Sequence, residues 1–87
     1  MLALPAKLNV AEASAALPAL VSAAAQGSGA LVVDASALKI FDSSAIATLL
    51  ELRRQAPGRE FSVSGAPPTM IDLATMYGVA ELLAFKA

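Results

Sequence analysis

A chain of 87 residues and 8.8 kDa closes one hydrophobic core, which excludes a two-domain enzyme. It has no cysteine, histidine or tryptophan, so thiol nucleophiles, imidazole bases and transition-metal ligands are missing and no catalytic residue, metal or cofactor is assigned. Six basic residues against seven acidic ones leave a net charge of −1, without the basic patch that nucleic acid requires.

The opening MLALPAKLNV lacks a basic start ahead of an apolar run, so no signal peptide is expected and the chain is placed in the cytoplasm. Leu2 to Leu4 reads as a short edge strand closed by Pro5. Asn9, with Glu12 three residues on, resembles a capping box and opens an Ala-rich helix. Val10, Ala13, Leu17, Leu20, Val21 and Ala24 lie at helical spacing, and the helix ends near Gln26-Gly27. Pro18 removes a hydrogen bond inside it, which predicts a kink or a break into two segments. The charge-free stretch from Ala13 to Val33 has the length of a membrane span. It is nevertheless mostly Ala, and Pro18 and Gln26-Gly27-Ser28-Gly29 interrupt it, so no direct membrane insertion is expected.

Ala30-Leu31-Val32-Val33 is a short apolar run that suits a central strand buried on both faces. Ala35 to Phe41 then carries the chain to Asp42-Ser43-Ser44, which has the composition of a helix N-terminus. In the helix that follows, Ala45, Ile46, Leu49, Leu52 and Ala56 form an inward stripe. Thr48, Glu51, Arg54 and Gln55 face out, and Pro57-Gly58 stops the helix. Glu60 to Ser64 alternates with period two and puts Phe61 and Val63 on one face of a half-buried strand ending at Gly65. Pro67-Pro68 sets up a last helix with Met70, Ile71, Leu73, Ala74 and Tyr77 on its apolar side and Gly78 as the C-cap glycine. The tail from Val79 to Phe85 is apolar enough to pack back on the domain. Strands alternating with helices imply parallel crossovers, hence one small α/β domain over residues 1–87. Its sheet is mostly parallel or mixed, of about four strands, with helices packed on it.

In such sheets sites form beyond the carboxyl ends of strands, which here means Asp34 to Ser44. Asp42-Ser43-Ser44 is the one polar cluster between an apolar approach and an amphipathic helix. A phosphate on Ser43 would meet the unpaired amides and partial positive charge of a helix start, which makes Ser43 a plausible phosphoacceptor. Capping by Asp42 or Ser43 accounts for the same residues structurally, and the two roles are compatible. Phosphorylation would add roughly two negative charges beside Asp42, with Asp34 a neighbour to consider, and repulsion would then expel a docked partner. Gly27-Ser28-Gly29 precedes a strand and lacks the Gly-Lys-Ser/Thr of a phosphate loop, so it reads as a turn. Arg53-Arg54 reads as a solvated helix face, and Met76 and Tyr77 as packing. Charged residues make up only 15% of the chain where about a quarter is usual. Either part of this surface normally meets a partner, or the composition is simply Ala-rich.

Leu31-Val32-Val33-Asp34-Ala35-Ser36, then Phe41-Asp42-Ser43-Ser44-Ala45 and a Leu-rich helix, resembles the STAS domain pattern over most of the chain. In the anti-sigma-factor antagonists of that family a strand ends in Asp-x-Ser, and Asp-Ser-Ser/Thr-Gly opens a helix. By that resemblance Ser43 falls on the phosphorylated serine, Asp34 and Ser36 form a supporting loop, and Ala45 departs from the usual Gly. Phe61 to Gly65, then Leu73-Ala74-Thr75-Met76-Tyr77-Gly78-Val79 and Leu82-Leu83, resembles more closely the small cytoplasmic STAS subunit of Mla phospholipid-transport ABC systems. The resemblance implies a non-enzymatic subunit that binds and supports the ABC ATPase. Asp42, Ser43, Ser44, Ala47, Thr48 and Glu51 would form the contact, and the chain would sit at the inner face of the inner membrane through the complex. The alternative it implies is an antagonist that sequesters an anti-sigma kinase and releases it when Ser43 is phosphorylated.

Overall fold

The computed structural model describes residues 1–86. Ten elements follow in chain order: β1 (Leu2–Ala3), β2 (Lys7–Leu8), α1 (Val10–Ala25), β3 (Leu31–Asp34), β4 (Ile40–Phe41), α2 (Ser43–Arg54), β5 (Phe61–Ser64), α3 (Pro68–Met76), α4 (Ala80–Leu83) and β6 (Phe85–Lys86). A four-stranded sheet takes the order β1-β3-β5-β6, and every pairing in it is parallel. Strand order follows chain order, so crossovers of one hand lay the helices in a single layer. Within it α2 touches α1, α3 and α4. The fold is thus the small α/β architecture expected, with β3 and β5 sharing the central place.

Register explains which face is covered. Leu31 pairs with Phe61, Val33 with both Leu2 and Val63, and Val63 with Phe85, so these apolar side chains line one face. Against it pack Leu20 and Ala24 of α1, Ala45, Ile46, Leu49 and Leu52 of α2, Met70 and Ala74 of α3, and Leu83 of α4, all buried. The opposite face carries Ala3, Val32, Ser62 and Ser64. Ser62 is only 6% exposed, so β5 is buried more fully than its alternating pattern predicts, because β3 and β6 flank it.

Several expectations change. Helix α1 runs unbroken through Pro18, whose exposed ring leaves only the Ser14 carbonyl without its helical donor. Asn9 caps α1 by accepting from the Ala11 amide at 3.0 Å. Glu12 does not complete the box; it turns to Lys7, 3.6 Å away. Val10 continues the apolar stripe but lies beyond the core and is 70% exposed. On α3, Ile71 and Tyr77 also point outward. That helix ends in a Schellman motif, with Gly78 at φ 76° bonding Thr75 and Val79 bonding Ala74. The apolar tail packs back as α4 and the edge strand β6.

Two further features fix the upper end of the sheet. A second, two-stranded parallel sheet joins β2 to β4, supported by the Lys39 and Ile40 amides on the Ala6 carbonyl at 2.8 and 3.0 Å. It sets the start of α1 beside the start of α2. At the end of β5, Gly65 adopts φ 68°, where an added Cβ would lie 3.0 Å from that of Ser36.

Candidate functional site at the start of α2

Helix α2 begins where Asp42, in extended backbone, accepts the Ser44 amide on Oδ1 at 2.8 Å. Its other oxygen, Oδ2, accepts the Val10 amide of α1 at 3.1 Å. One carboxylate therefore closes two helix N-termini, whose positive ends converge on it. The Ser44 amide, and after it the Val10 amide, hold the Asp42 carboxyl below the usual carboxylate range, against the opposing effect of burial. Asp42 rather than Ser43 is thus the cap. Ser43 occupies the first helical position with its side chain exposed, and among the described residues its hydroxyl makes no hydrogen bond.

One turn on, the Thr48 hydroxyl donates to the Ser44 carbonyl at 2.8 Å and the residue is 3% exposed. Thr48 therefore does not face out as its polarity suggests; it lies three residues after Ala45 and four before Leu52, both buried, on the same helical face. Ala47 is exposed. Glu51 accepts from Arg54 at 2.9 Å and from Gln55 at 2.8 Å. The Arg54 contact, then Gln55, lowers the Glu51 carboxyl, and Glu51 in turn raises Arg54.

These side chains form one wall of an open groove of about 350 Å³ between α1 and α2. Ser44, Ala47, Thr48 and Glu51 come from α2; Val10, Ala13, Ser14 and Leu17 form the other wall. The structure thus brings four of the six candidate contact residues into one groove and sets Asp42 and Ser43 at its head, beside Val10. The α1 wall was missed from sequence. Its signal was an apolar stripe beginning at Val10, before the helix reaches the core.

Asp34 and Ser36 lie elsewhere. Asp34 accepts the Ser36 amide at 2.9 Å, in a turn backed by Gly65. The Ser36 side chain, then its amide, lowers the Asp34 carboxyl. Among the described residues no hydrogen bond joins Asp34 to the α2 start. Ala45, which replaces the usual Gly, is fully buried, so its methyl packs into the core and adds no bulk to the surface beside Ser43. Among the described residues no cluster of acidic side chains could hold a metal ion, and no helix is long and apolar enough to cross a membrane.

A parallel sheet, helices layered on one face and an Asp-Ser-Ser helix start are the features of a STAS-like α/β domain. The family described as "Mlab, STAS domain" matches residues 1–84, and the chain belongs to it. No curated protein sequence matches the chain.

Proposed function

We propose that this chain is a non-catalytic STAS subunit that binds and supports the ATPase of an ABC-type phospholipid transporter serving outer-membrane lipid asymmetry. It would act in the cytoplasm, at the inner face of the inner membrane, through that complex. The observation that carries the reading is the match to the Mlab STAS family over residues 1–84. The site supports it as a contact surface: an exposed Ser43 beside a fixed Asp42 at the head of a groove with an apolar α1 wall. Asp42, Ser43, Ser44, Ala47 and Glu51 would meet the ATPase, with Thr48 as the floor. A Ser nucleophile would need a base to take its proton. With no histidine in the chain and no side chain bonded to Ser43 among the described residues, such chemistry has no support here.

The second reading, an anti-sigma-factor antagonist switched by phosphorylation of Ser43, draws on the exposure of that hydroxyl at a helix N-terminus. Affinity purification of the tagged chain from detergent-solubilised cells of its source separates the two. Recovery of an ABC ATPase with membrane subunits and unmodified Ser43 supports the transporter subunit. A soluble kinase held by the unmodified chain, beside a pool phosphorylated on Ser43 that has released it, overturns it in favour of the switch.

A further inference from the structure

We propose that the sheet face turned away from the helices is a self-association surface, on which two copies of this chain stack about a two-fold axis running along β5. Side-chain alternation decides what that face carries. Leu31, Val33, Phe61, Val63 and Phe85 point into the helix layer, so Val32, Asp34, Ser62, Ser64 and Lys86 point the other way. Ser62, at the centre, is 6% exposed. Among the described residues, however, only Thr48 and Thr75 donate hydroxyl hydrogen bonds, and no bond reaches the Ser62 side chain. A polar group this deeply set, aimed out of the face and without a protein partner, is stabilised by a polar group brought against it.

Charge identifies the occupant as a second copy. Register puts Asp34, Ser64 and Lys86 in one row across the sheet, with β5 between the two charges. Two strand spacings, roughly 10 Å, separate them within the chain. The ion pairs among the described residues are Lys7–Glu12 and Glu51–Arg54, so neither Asp34 nor Lys86 is neutralised at home. A two-fold axis along β5 exchanges β3 with β6 at the same level. It therefore sets Asp34 of each copy opposite Lys86 of the other, twice. The same operation brings Ser62 and Ser64 against their counterparts, where small side chains let the sheets approach and the hydroxyls bond directly or through a water. Four strands of about four residues span roughly 19 by 13 Å, or about 250 Å² per copy, against about 800 Å² in a standard interface. The pair is accordingly weak, forming as the chain nears about 1 mM. It leaves the α1–α2 groove free, because that groove lies in the helix layer.

The inference does not rest on the proposed function, and it is measured on the full chain alone. Sedimentation at low salt should show the average mass rising from one copy towards two between about 0.05 and about 2 mM. Over the same range the NMR signals of the Val32 methyls and the Ser62 and Ser64 amides should shift, while the Ala47 methyl in the groove stays fixed. Lys86→Glu sets like charges opposite Asp34 and should weaken the pair about tenfold. Asp34→Asn removes the charge but keeps an acceptor for the Ser36 amide, and should weaken it several-fold, as should about 0.5 M salt. Val33 amide protection confirms that each variant keeps its sheet. A chain that stays single at the highest concentration, association that shifts Ala47 instead of Val32, or a Lys86→Glu variant that pairs as well as the wild type overturns the proposal.

Discussion

Asp42 ends the free backbone of α2, and its neighbour Ser43 does not, so the same truncation has different effects at the two positions. Ser43→Ala should leave stability within about 0.5 kcal/mol of wild type. Asp42→Ala should lower the urea midpoint, because it removes the acceptor for two helix amides. Equal midpoints for the two variants would refute this division of roles. Thr48→Val deletes a hydroxyl already satisfied by the Ser44 carbonyl, so stability should fall by no more than about 1 kcal/mol in urea unfolding. Binding to the proposed ATPase partner should be unchanged, since that hydroxyl is turned inward. At this scale the sequence placed the polar cluster correctly but could not choose between Asp42 and Ser43, because both stand at cap spacing. The choice is made by Val10, a contact across 32 residues. Thr48 is legible in principle: its spacing from Ala45 and Leu52 points inward, whereas its polarity alone points outward.

Among the elements, β3 and the inward stripe of α2 could be read because each is long enough to show a period, and Ala45, Ile46, Leu49, Leu52 and Ala56 are all buried as the stripe requires. The two-residue strands β2, β4 and β6 leave no such pattern, and neither does the single turn of α4. The unbroken course of α1 through Pro18 could not be inferred either, since it depends on packing over the whole helix. Replacing that proline restores a donor for the Ser14 carbonyl at an exposed position. Pro18→Ala should therefore stabilise the fold by about 1–2 kcal/mol after the greater freedom of the unfolded chain is counted, as read from the urea midpoint. The other end of α1 has no basic residue in its last turn. Arg59 supplies one from the loop before β5, donating to the carbonyls of Ala24 and Gly29, each at 2.7 Å. Arg59→Met keeps the apolar stem but strips both bonds, and should cost about 1–2 kcal/mol in the same measurement.

For the whole molecule, acid stability follows from three carboxylates. Asp34, Asp42 and Glu51 all have folded-state values below their ordinary ones. Their contribution is therefore complete above the unfolded carboxylate range and is lost as pH falls through the lowered values. With no histidine in the chain, no imidazole adds a step near neutrality. Thermal melting followed against pH should show a plateau through neutral pH and a decline below about pH 4. A loss of stability between pH 8 and pH 6 would contradict the assignment.

The edge strand β1 spans only Leu2 and Ala3 before Pro5 ends its pairing with β3, and β6 on the other edge is described over two residues. Among the described residues, a neighbouring copy therefore finds no long row of free amides and carbonyls on which to extend the sheet. With charged residues at only 15%, electrostatic repulsion gives weak protection against aggregation, so short edges of this kind matter more here than in a highly charged domain.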